Sequence, residues 1–158
     1  MQLTTHQLRV MAGYLTTAEK ELGQREKPGK PANPRIREYL ESTNIGSPED
    51  QTDETPWCSA FVNWVVDDFR SKVNRVTPKG TGRANARSWL NWGTASPVPL
   101  RGAIVILSRG APPAGHVAFV VDAQRETLRI LGGNQSDAVT ITTVPKSRVL
   151  GYRIPPAE

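Results

Sequence analysis

The chain is poor in the residues that most often announce chemistry. Its 158 residues include one cysteine, Cys58, and two histidines, His6 and His116. A single cysteine excludes an internal disulfide, so cysteine usage does not mark an oxidising compartment. With one Cys and two distant His, and neither an HExxH nor a paired-cysteine spacing, a zinc site would have to lean on carboxylates, and no metal is expected. Gly102, Gly110 and the Gly132-Gly133 pair lack the strand-before, helix-after placement of a phosphate loop, and no cofactor is expected. Long apolar runs are missing too. Val117 to Val121 falls far short of the roughly 20 residues that span a bilayer, so no stable membrane insertion is expected. The opening Met1-Gln2-Leu3-Thr4-Thr5-His6-Gln7 has neither the basic nor the apolar region of a signal peptide, which points to synthesis in the cytoplasm and delivery by other means.

What is present is a basic chain, net charge +5, with 13 Gly and 13 Pro and 37% apolar residues. The positive balance favours polyanions in general. The Lys and Arg residues are scattered and have no interleaved aromatics, so nucleic acid is not expected as a partner. The length suits one domain over 1–158, with a helix and loop over 1–33 preceding a core over 34–158. The first helix is expected over residues 4–22, with Leu8, Met11 (or Val10), Leu15, Ala18 and Leu22 as its stripe and Gly23 as its stop. A polar Pro/Gly loop follows over 23–33. Asn33 and Pro34 then cap and begin a short helix whose inward face is Ile36, Tyr39 and Leu40.

Thr55-Pro56-Trp57-Cys58-Ser59-Ala60-Phe61-Val62-Asn63-Trp64 is expected to open a buried helix running to about Phe69, with Thr55 as cap and Pro56 at the first position. Another short helix is expected over Arg83 to Trp92. After Pro97-Val98-Pro99 the pattern changes to strands over Ala103–Ser108, His116–Ala123, Thr127–Leu131, Ala138–Val144 and Val149–Ile154. Their short connections require antiparallel pairing, so the fold class is α+β: helices first, then an antiparallel sheet of about five strands.

Cys58 in a first helical turn would meet free backbone amides and the positive end of the helix dipole, both of which favour thiolate. The competing role is a small buried apolar residue. His6 lies near the terminus and is incidental. His116 follows Ala114-Gly115 at the start of a strand, where an imidazole can take a thiol proton and return it to a leaving amine. Such a base needs a third group to hold its tautomer. The next strand ends Leu131-Gly132-Gly133-Asn134-Gln135 and returns towards His116, so Asn134 or Gln135 could reach the ring. For two-carboxylate glycosidase chemistry, Asp53, Glu54, Asp67, Asp68 and Asp122 are candidates, but nothing marks a pair among them.

The segments Pro56 to Trp64, Ala86-Arg87-Ser88-Trp89-Leu90-Asn91-Trp92-Gly93, Gly115-His116-Val117-Ala118-Phe119-Val120 and Leu131 to Asp137 together resemble the NlpC-like and CHAP-type cysteine- and histidine-dependent amidohydrolases/peptidases. The resemblance runs from about Asn33 to Pro155. It implies a papain-like core and hydrolysis of amide bonds in bacterial peptidoglycan, by an endopeptidase or N-acetylmuramoyl-L-alanine amidase. Cys58 matches the nucleophile, His116 the base and Asn134 the polar third residue, with Gln135 in reserve. Trp57, Ser59, Gln135 and Trp89 are candidates for substrate contacts; core packing competes for the tryptophans. The expected partner is peptidoglycan, met by a monomer released through a holin or injected by a secretion system. An injected toxin would be paired with an immunity protein that plugs the cleft. Two alternatives stand beside this: a catalytically silent cell-wall binder, and a papain-like amidase on a different substrate.

Overall fold

Two capped helices precede the cysteine helix in the computed structural model, which describes residues 2–27, 33–44, 56–73 and 76–158. Helix α1 (Thr5–Glu19) starts with a capping box. The Thr4 hydroxyl accepts from the Gln7 amide, and the Thr4 amide donates to Gln7 Oε1, both at 3.0 Å. Its buried face is Val10, Met11, Tyr14, Leu15 and Ala18. Leu8 and Leu22, expected in that stripe, are 52% and 42% exposed. The helix turns instead to seat Tyr14 among Phe69, Trp92 and Phe119, and it ends before Leu22.

The expected 23–33 connector begins as a strap on the sheet. Gly23, at φ +96°, donates to Val139 O, Arg25 bridges Ala138, and the Glu26 amide reaches Asp137 O. Helix α2 (Pro34–Glu41) follows the sequence closely. Asn33 Oδ1 caps Arg35 N at 2.8 Å, Pro34 opens the helix, and Ile36, Tyr39 and Leu40 are buried. Tyr39 stacks on Trp57, meets Phe61 and Trp64 edge-on, and donates its hydroxyl to buried Glu21 at 2.7 Å.

Helix α3 (Cys58–Ser71) begins at the cysteine itself. Trp57 holds the cap position with no side-chain cap bond, and Pro56 stands outside the helix. The expected cap, Thr55, lies outside the described residues. The expected helix around Trp89 is a tighter 3₁₀ segment, Ala86–Asn91. The sheet comprises β1 (Thr94–Ser96), β2 (Ile104–Ser108), β3 (Gly115–Ala123), β4 (Thr127–Gln135), β5 (Ala138–Pro145) and β6 (Val149–Ile154). All pairings are antiparallel, in the order β1-β6-β2-β3-β4-β5. The α+β reading therefore holds, with one strand more than expected. Thr94-Ala95-Ser96 has no apolar alternation to reveal it and is ordered by pairing to β6.

The strands alternate between two cores. Ile104, Ile106, Val117 and Phe119 face the helices, whereas Val105, Leu107, Ala118 and Val120 form the opposite layer with Met11 and Ile154. Helix α3 packs on β3 and β4. Its approach to β4 is close because Gly133 has no side chain. A Cβ there would lie 2.6 Å from Trp57 Cζ3 and 2.7 Å from Phe61 Cβ. Gly133→Ala should therefore destabilise the protein by about 1–3 kcal/mol, the usual cost of overpacking. Urea denaturation midpoints at unchanged slope would measure it, and an unchanged midpoint would mean that α3 does not bear on Gly133.

Candidate active site

Cys58 is 5% exposed and lines a cleft of about 350 Å³ whose walls come from residues 84–86 and 113–115. The 84–86 wall is anchored from within α3. Asn63 is a polar residue in an otherwise apolar helix. Its Oδ1 accepts from Gly82 N at 2.8 Å, and its Nδ2 donates to Ser59 O at 3.0 Å. Ser59 Oγ donates to Arg83 O at 2.7 Å and accepts from Trp89 Nε1 at 3.0 Å. Ser59, Trp57 and Trp89 are fully buried, and Trp57 Nε1 donates to Glu26 Oε1. These three expected substrate contacts thus have their polar atoms spent inside the protein, and they shape the wall behind the cleft rather than facing it.

The nearby backbone amides of Val117, Ser59 and Cys58 itself act on the thiol. They favour thiolate, as does the charge of Arg109, yet burial is the largest influence and pushes the thiol pKa up. The helix start alone predicts the opposite direction. His116, 3% exposed, is moved by the same cause. Burial lowers it to about 4, Arg109 and Arg148 add to the lowering, and the hydrogen bond it donates to Gln135 opposes it. At neutral pH the resting pair is therefore thiol and neutral imidazole.

The tautomer follows from the hydrogen-bond network. Gln135 Nε2 donates to Thr140 O at 2.8 Å, which leaves Oε1 facing His116 Nε2 at 2.9 Å as the acceptor. The proton consequently sits on Nε2, and the lone pair is on Nδ1, which is buried and has no hydrogen-bond partner. No hydrogen bond joins this nitrogen to the thiol at rest. The two groups are neighbours all the same, since His116 precedes Val117 on β3 and the Val117 backbone lies near enough to the sulfur at the head of α3 to act on its acidity.

Continuing the Phe119–Leu131 register along β3 and β4 would set Asn134 opposite His116. A bulge intervenes: pairing to β5 shifts between Gly132 and Gln135, and Asn134 takes a left-handed φ of 57°. The shift carries Gln135 to the ring and leaves Asn134 half-buried beside it. Gly132 makes room for this turn-back, because a Cβ there would stand 2.8 Å from both Gln135 Oε1 and Ala118 Cβ. Thr140, Asn63 and Arg109 were not expected from the residue pattern. Only Asn63, polar within an apolar helix, carried a local signal.

A cysteine at the head of a buried helix, with an amide-held histidine opening a neighbouring antiparallel strand, is the arrangement of papain-like thiol hydrolases. The CHAP domain family matches residues 50–134, more than half of the chain, and the chain belongs to that family of cysteine- and histidine-dependent amidases and peptidases. The fold is similar to that of a solved structure described as "The crystal structure of Ly7917", at a TM-score of 0.53 and 18% identity. That likeness covers 93% of this chain and 62% of the other, so this chain spans less than two thirds of its length. No curated protein matches the chain.

The neutral pair has two measurable consequences. Alkylation of Cys58 by iodoacetamide in the free protein should accelerate only above the ordinary thiol range of roughly pH 8.5, whereas a plateau near neutral pH would reveal a preformed thiolate. For stability, the folded His116 value of about 4 lies below the ordinary 6.5, so the unfolded chain takes up its proton first as pH falls. Stability is therefore lost from about pH 6.5 down to about 4, by an amount on the order of 3 kcal/mol. Thermal melts of His116→Asn should lack this loss.

Proposed function

We propose that the protein is a peptidoglycan hydrolase that cleaves an amide bond of the bacterial stem peptide through an acyl-enzyme. The observation that carries this reading is the unpartnered Nδ1 lone pair of His116, buried with its tautomer set by Gln135 and lying next along β3 to Val117, whose backbone acts on the Cys58 sulfur. Substrate in the cleft brings sulfur and Nδ1 together; catalytic hydrogen bonds commonly tighten only in the complex. Nδ1 takes the thiol proton as sulfur adds to the carbonyl carbon, and backbone amides at the head of α3 receive the oxyanion. The proton then passes to the leaving amine as the C–N bond breaks. Water, deprotonated by the same nitrogen, hydrolyses the thioester and restores the thiol. Gln135 orients the imidazole in this scheme in place of Asn134, and the net charge of +5 holds the enzyme on an anionic wall.

One observation favours a second reading, a cell-wall binder without catalysis: the thiol and imidazole share no hydrogen bond at rest. Iodoacetamide separates the two, because it abolishes hydrolysis by an enzyme but leaves a pure binder's pull-down of peptidoglycan intact. Cys58→Ala should release no new amines from purified peptidoglycan, and mass spectrometry of the wild-type digest identifies the bond. Release by Cys58→Ala would overturn the mechanism. Gln135→Ala should lower kcat about 10- to 100-fold, and Asn134→Ala less than about threefold. Because the Gln135 bond raises the His116 pKa, its loss should also move the acid limb of kcat/KM to lower pH. A general structural defect would not move that limb.

A further inference from the structure

The Cys58 cleft has an uneven chemistry. Pro56, Ala84, Ala86, Pro113 and Ala114 make it largely apolar, and among the described residues Arg109 is the only charged side chain that lines it. Two other arginines nearby are already engaged. Arg148 donates twice to Ser108 O, at 2.9 and 3.1 Å, and Arg87 Nε donates to Ala114 O at 2.8 Å. These two contacts pin both ends of the segment 108–114, which a turn from Ala114 N to Ala111 O also closes. Arg109 projects from this braced segment, exposed, and among the described residues it has neither an ion pair nor a hydrogen bond. An arginine held at the mouth of an apolar cleft, with no acidic partner among the described residues, is arranged to take a carboxylate from outside.

We propose that Arg109 is a specificity-determining residue that binds a free carboxylate carried by the substrate close to the scissile amide. The preferred substrates are thus acidic amides, and the matching carboxamides are poor ones. The charge of Arg109 acts on both Cys58 and His116, which places the carboxylate within electrostatic reach of the reacting atoms. This deepens the hydrolase reading and rests on Cys58 as the reactive thiol.

Two alkylating agents that differ only in this group test the proposal without knowledge of the bond cut. In each, sulfur displaces iodide from a methylene; iodoacetate carries a carboxylate and iodoacetamide its neutral amide. The ratio of the two inactivation rates cancels any change in thiol acidity. Arg109→Gln should lower the iodoacetate-to-iodoacetamide ratio about fivefold or more, and added salt should shrink the wild-type ratio towards that of the variant. Arg109→Lys should keep most of the ratio. Arg125→Gln, the same charge loss at the far end of β3, should leave it unchanged. Once mass spectrometry gives the cleaved amide, paired stem-peptide fragments with carboxylate or carboxamide beside it extend the test. Arg109→Gln should raise KM for the acid about tenfold, with kcat and the carboxamide kinetics little changed. An alkylation ratio equal in wild type and Arg109→Gln, or equal losses on acid and carboxamide, would overturn the proposal. Amine release by Cys58→Ala would instead overturn the hydrolase reading, and the alkylation ratio would still report on Arg109.

Discussion

The close approach of helix α3 to strand β4 across Gly133 is the constraint on which the rest of the structure depends. Without a side chain at that position, Trp57 and Phe61 settle directly on the strand, and the head of the helix comes down beside β3. Tyr39 closes over the same two rings from α2. Ser59 and Asn63, in the first and second turns of α3, tie the 81–83 segment to the helix and so raise one wall of the cleft. The thiol is thereby placed near the Val117 backbone by packing that is settled well away from the sulfur.

That packing has an electrostatic cost. Bringing the helix head into contact with the sheet removes water from both sulfur and imidazole, and burial moves their pKa values in opposite directions, each towards its neutral form. Three amides and an arginine oppose this at the sulfur without reversing it. A neutral pair changes where the charge appears. In the proposed mechanism it is created as sulfur attacks, in a dry site where fixed amide dipoles act strongly, rather than being stored in the resting protein.

Much of this was legible in local pattern, and the failures have a common origin. Helix α2 was readable because its signals are adjacent: an Asn cap, a Pro at the first position, and Ile36, Tyr39 and Leu40 at helical spacing. The strands from Ala103 onward were readable because apolar residues and turns alternate plainly. The exchange of Asn134 for Gln135 at His116 was not legible, because a bulge is decided by what two glycines allow on three neighbouring strands. Leu8 and Leu22 fit a helical stripe but lost their place to Tyr14, whose aromatic partners are distant in sequence. The direction of the Cys58 pKa shift was not legible, for the same reason. The helix end is local, whereas the water excluded from it depends on the whole fold.

The strap formed by residues 23–26 has a consequence for how an extended peptide can be held. Arg25 and its neighbours occupy the outer side of β5 near Ala138, next to the turn that carries Gln135. At the other margin the sheet closes with a strand of only three residues, Thr94–Ser96. Beside the turn that carries Gln135 a visiting chain therefore finds little free backbone to extend as an added strand, and the three residues of β1 offer little more. Recognition falls to the side chains and shape of the cleft, which suits substrates whose backbone is branched or unusual in stereochemistry and could not join a sheet in register.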